Sequence, residues 1–126
     1  MIDTDASPTN PNTAASAHPR AFGAFPRILA KYVREEGLLS VEEAVRKMSS
    51  LPANRLNLLD RGRIAPGMAA DLIIFDLNKV QDRATFESPL EYASGMDYVL
   101  VNGVAVISEG RPTGSLPGRV LKHGIK

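Results

Sequence analysis

The chain contains no cysteine. That removes disulfides, thiolate zinc ligands and cysteine nucleophiles together. It also lacks any long apolar run. The longest stretches, such as LIIF at residues 72–75, are strand-sized and far short of the roughly 20 residues a membrane span needs. Neither sign of charge is in excess: fifteen basic against fourteen acidic residues leave +1. Nothing therefore points to a nucleic-acid partner or a membrane surface. No basic segment followed by an apolar one opens the chain, so no secretory signal is expected and a cytoplasmic protein is the default expectation. At 126 residues, 44% of them hydrophobic, one modest core is within reach. A full (β/α)8 barrel, at about 250 residues, is not.

What is present reads as helices first and strands afterwards. Residues 8–19 (PTNPNTAASAHP) are loop-like, and only Met1 and Ile2 before them suit a strand stub. Pro26 stands where a first helical turn favours proline. Ile28, Leu29, Tyr32 and Val33 follow at helical spacing, and Gly37 ends the run. Ser40 with Glu43 makes a capping box for a second helix, whose buried face is Ala44, Val45 and Met48. Pro52 opens a short third piece. From residue 60 the texture changes. Residues 72–75 read as a buried strand, and residues 81–96 as a long polar loop. Asn102-Gly103 suits the two positive-φ positions of a type I′ turn, joining strands at 98–101 and 104–107. A last strand-like segment, RVLK, follows Gly118. Helices followed by strands without alternation indicate an α+β arrangement.

Few residues carry chemistry. Asp3 and Asp5 stand at the end of the strand stub. Either is a turn acid, or one ends a strand and faces a catalytic mouth, where it accepts a proton or meets a metal. His18 sits in a loop before Pro19, a place more typical of a turn-stabilising histidine than of a ligand. The second histidine, His123, lies beside Lys122 and Gly124 and reads as tail. Zinc needs three or four ligands, usually in close pairs, so the chain has no metal site of its own. Arg20 and Arg27 bracket AFGAFP. Each suits a carboxylate clamp or a surface ion pair with Glu35 or Glu36.

Three segments carry a resemblance: TDA at residues 4–6, HPRAFGAFPRILAKYVREEGLLSVEEAVRKMSS running on to DRGRIAPGMAADLIIFD, and the closing VNG with GRVLK. Together the chain resembles the C-terminal end of the N-acyl-D-amino-acid deacylases (D-aminoacylases) of the amidohydrolase superfamily. The DRGRIAPGMAADLIIFD segment is similar to a signature shared widely in that superfamily. HPRAFGAFPR with YVREEGLLSVEEAV is closer to the deacylases.

The resemblance implies an α+β fragment. A last strand stub and helices of a (β/α)8 barrel would occupy residues 1–58, and C-terminal strands of a small β-sandwich residues 59–126, with the hairpin at 98–107. It implies a zinc-dependent hydrolysis of N-acyl-D-amino acids to a D-amino acid and a carboxylate. Asp5 matches the acid that works as general base and acid, with a metal contact in the complete enzyme. Arg20 matches the arginine that binds the substrate carboxylate, and His18 supports the same mouth loop. Asp3 departs from the pattern, which has a small residue there. The zinc ligands implied by the resemblance lie upstream, so this chain alone is expected to bind no zinc tightly and to be inactive without the missing N-terminal barrel portion. A non-catalytic α+β binding module and one chain of a split amidohydrolase are the alternative readings.

Overall fold

A computed structural model describes residues 1–122; His123, read as tail, lies outside the described residues. Helix α1 (Arg20–Arg27) runs directly into a π-helical segment (Ile28–Glu35). Then come α2 (Val41–Met48), α3 (Ser50–Arg55) and strands β1 (Leu72–Phe75), β2 (Met96–Val101), β3 (Val104–Ser108) and β4 (Arg111–Pro112). The strands form one antiparallel sheet in the order β1-β2-β3-β4. The fold is α+β. Two compact units divide the chain.

The first unit holds Asp3–Ala44 and Leu77–Gly95. Its main helix starts earlier than the sequence suggests. Pro19, not Pro26, stands at the N-terminus, and Pro26 lies inside α1. Proline cannot donate the rung that an interior position requires, and its ring crowds the preceding turn. The wider turns that follow close with the Glu36 N–H donating to the Lys31 carbonyl at 2.8 Å, five residues back. Such registers commonly mark a disturbance in a helix. Gly37 then takes a φ of +61° and ends the run as expected. Ser40 caps α2: the Glu43 N–H donates to its Oγ at 3.2 Å. Glu42 next to it has its carboxyl held below the usual range by a backbone hydrogen bond and by the Ser40 hydroxyl. Leu29, Ala30, Ala44 and Val80 form the buried centre.

The loop from Leu77 to Gly95 is irregular, as its polarity predicts, but it is firmly tied. The Arg34 guanidinium donates to the Leu77 and Val80 carbonyls at 3.1 and 2.6 Å and to Gln81 Oε1 at 2.8 Å. Gln81 and Ser94 exchange backbone hydrogen bonds at 3.1 and 3.0 Å. At Gly95 (φ +76°) an added Cβ would lie 2.5 Å from the Lys79 carbonyl carbon and the Val80 nitrogen. Only glycine fits there.

The second unit holds Met1–Ile2, Val45–Asp76 and the chain from Met96 onward. Its hairpin matches the expectation: Asn102 and Gly103 have φ of +49° and +81°, the signs a type I′ turn needs. The signature segment also acquires a physical role. Arg61 is largely buried between Asp60 and Asp71, bonding both. Asp71 accepts the Asn102 N–H at 2.8 Å, and the Gly103 N–H donates to the Ala70 carbonyl at 2.9 Å. One guanidinium thus clasps the turn at 60–71, whose far end is bonded to the hairpin turn.

Three expectations in this unit are corrected. Met1 and Ile2 form no strand; the Ile2 N–H instead donates to the Lys47 carbonyl at 3.2 Å. Strand β1 is not buried: the adjacent Ile73 and Ile74 are 59% and 53% exposed. Neighbouring strand residues point to opposite faces, so neither face of β1 is fully covered, although Leu72 and Phe75 at its ends are half-buried. Residues 119–122 (RVLK) form no strand. The place beside β3 belongs to β4, and its Pro112 has no N–H to offer a further strand.

Candidate functional site

Asp5, His18 and Arg20, the residues to which the resemblance gives roles, lie in the first unit, and the fold brings them together. The Arg20 guanidinium stands 3.3 Å from the Asp5 carboxylate. His18 Nδ1 accepts the Arg20 backbone N–H at 3.1 Å. The histidine therefore serves one of the unpaired N–H groups at the start of α1. An acceptor at Nδ1 places the neutral ring's proton on Nε2. His18 acts as the turn-stabilising residue its position suggested.

The local backbone explains why Asp5 reaches Arg20. Asp3 Oδ1 accepts the Asp5 N–H at 2.6 Å, the side-chain turn that aspartate favours. Asp5 itself is left-handed, with φ +47°. A strand end was expected here; a turn is what forms, and Asp3 is the turn acid. The pair is open to water, with Arg20 and Asp5 side chains 44% and 88% exposed. At such exposure an ion pair contributes about 0–1 kcal/mol.

Arg27 has a different partner from the one its sequence neighbours suggested. It donates to Asp82 Oδ2 at 2.9 Å, and the Asp82 side chain is only 8% exposed. That hydrogen bond raises the Arg27 pKa above its ordinary value. Gly23 lets the helix approach closely, since a Cβ there would stand 3.4 Å from the Asp82 Cβ. Beyond Asp82, the ring of Phe86 meets His18 edge-on, 5.1 Å between centroids at 81°. An open cavity of about 440 Å³ lies between this loop and the start of α1, bordered by both arginines. Asp82 and Phe86 were not singled out from the sequence. Nothing local marks them, because Arg27 and His18, which they meet, are more than fifty residues away.

Chemically, the cluster offers a guanidinium for a carboxylate, a carboxylate for proton transfer and an apolar recess beside them. It does not offer a metal site. Among the described residues no group of three or more histidine, cysteine, aspartate or glutamate side chains stands where it could hold an ion.

Residues 4–107 match the amidohydrolase family, and the chain belongs to that family. Within it, the chain is 45% identical over 98% of its length to N-acyl-D-glutamate deacylase of Alcaligenes xylosoxydans xylosoxydans. It is 46% identical over 96% of its length to the D-aminoacylase of the same organism. In both cases it spans 24% of the relative, about a quarter. The fold is similar to part of N-acyl-D-glutamate deacylase from Bordetella bronchiseptica, solved with zinc and a phosphonate mimic of the reaction's tetrahedral intermediate. The TM-score is 0.72 at 43% identity, covering 78% of this chain and 22% of that one.

Proposed function

We propose that the chain is the C-terminal portion of a zinc-dependent amidohydrolase that cleaves N-acyl-D-amino acids to a D-amino acid and a carboxylate. In this reading residues 1–58 finish a barrel domain and residues 59–126 supply strands of a small β-sandwich. Arg20 takes the substrate carboxylate through its planar fork. Asp5 removes a proton from the attacking water and returns it to the leaving nitrogen. His18 fixes the backbone at Arg20. The observation that carries the reading is the meeting of Asp5 and Arg20 at 3.3 Å, in a chain so similar to two deacylases along nearly all its length. Alone, the chain is inactive, because the ligands for zinc lie elsewhere.

The test is reconstitution. The chain is mixed with, or fused behind, the upstream three quarters of a D-aminoacylase and supplied with zinc and N-acetyl-D-glutamate. Hydrolysis should appear. Asp5→Asn should then lower kcat by about 10²–10⁴-fold, whereas Arg20→Gln should chiefly raise KM. Full activity with Asp5→Asn would remove Asp5 from the mechanism.

A further inference from the structure

The cavity beside Arg20 has an unequal rim. Two guanidinium groups border it, but their charges are not equally available. Arg27 is committed to Asp82, a carboxylate almost wholly withdrawn from water. The partner of Arg20 is Asp5, which stands almost fully in solvent, so water and an incoming anion can compete for that guanidinium. Glu87, next in sequence to Phe86, also borders the cavity and adds one carboxylate to its rim. Of the two guanidinium groups, the one whose partner is open to exchange is Arg20, and a carboxylate ligand is directed there.

The remaining wall is mostly apolar, including Pro19, Ala24, Ala84 and Phe86. A volume of about 440 Å³ falls within the roughly 300–1,000 Å³ usual for small-ligand pockets. Phe86 is 78% exposed, a large apolar ring left in water at the tip of a closed turn. The Thr85 N–H donates to the Ser88 carbonyl at 3.1 Å, and the Ser88 N–H donates to Thr85 Oγ at 3.0 Å. The ring touches His18, which itself holds the Arg20 amide. Through His18 the apolar wall thereby stands beside the backbone of the residue that carries the cation.

We propose that this cavity receives the apolar substituent of an N-acyl-D-amino acid whose carboxylate sits on Arg20, and that Phe86 is the wall that reads the substituent's length. The identity of the ligand rests on the deacylase reading above; the pocket itself does not require hydrolysis. The experiment is a chemical-shift titration of the 126-residue chain with N-acetyl-, N-butanoyl- and N-hexanoyl-D-alanine. Affinity should rise about two- to fourfold per added methylene, the upper figure being full burial. Phe86→Ala should flatten that series, while hydrogen exchange verifies that the variant is folded. Arg20→Gln should weaken every member by a common factor and leave the slope intact. No binding, no dependence on chain length, or a slope that survives Phe86→Ala overturns the proposal. Reconstituted hydrolysis reports on the deacylase reading separately. If the slope is present and hydrolysis fails, the pocket stands without the activity. If hydrolysis occurs and Phe86 is irrelevant, the activity stands without the pocket.

Discussion

The two units differ in how they are held. The helical unit closes over Val80, which is fully buried, and reinforces that small core with side chains that reach backbone carbonyls. Arg34 alone satisfies two carbonyls and a side-chain amide. The sheet unit has an antiparallel ladder, with register shifts at Ile74/Phe75 and Val99/Leu100, and a clasp at Arg61, yet Ile73, Ile74, Val104 and Ile64 are left exposed. One unit completes itself with polar ties. The other has hydrogen-bonded strands without a second layer, an arrangement that gains little hydrophobic stabilisation.

That difference can be broken most severely at a glycine. Gly95→Ala places a methyl against the backbone at Lys79 and Val80 at a positive φ, and should cost more than about 3 kcal/mol. Hydrogen exchange should show protection lost from the Leu77–Gly95 segment. Gly103→Ala is the control, having a similar φ but no atom nearer than 3.9 Å; only the left-handed strain remains, about 1 kcal/mol. Equal losses at the two positions would mean that close packing does not distinguish the units.

Arg34→Ala comes next. It leaves the Leu77 and Val80 carbonyls without their donor, for an expected loss of about 2–3 kcal/mol by urea unfolding. Ile74→Thr probes the sheet unit. With the side chain half in water, the change should stay within about 0.5 kcal/mol. A loss of 2 kcal/mol or more would show that β1 is covered in solution.

The smallest effect is electrostatic. The hydrogen bond from Arg61 holds the Asp60 carboxyl below its usual range. A depressed folded-state pKa gives stability that is fully present above the unfolded value, about 3.9, and is lost as pH falls through the folded one. Asp60→Asn should therefore lower stability slightly at neutral pH and flatten the acid limb below about pH 4, so that variant and parent converge in acid. An acid limb identical to the parent's would show that Asp60 contributes nothing to it.

Features set by neighbouring residues were legible in the sequence. Asn102-Gly103 dictates its turn through φ alone, Ser40 finds an N–H three residues on, and Gly37 stops a helix it immediately follows. The meeting of Asp5, His18 and Arg20 was legible through motif resemblance, although the turn that delivers Asp5 was not. Features set across long separations were hidden. Pro26 is as compatible with a first turn as with an interior position, and only the loop before Pro19 decides between them. The apolar run at 72–75 is consistent with a buried strand, but burial depends on what else packs on it. Asp82 and Arg34 resemble any surface charge until Arg27 and the Val80 carbonyl are placed beside them.

The Asp5–Arg20 pair makes the protein its own competitor. A carboxylate that takes the Nη2 edge of Arg20 displaces the Asp5 carboxylate that stands there. With a pair worth at most about 1 kcal/mol, Arg20 stands open for no less than about a sixth of the time, so the penalty on apparent affinity is at most about sixfold. In the proposed reading the exchange has a second effect. The ligand that occupies Arg20 also releases Asp5, so the proton acceptor becomes free at the moment there is something to act on.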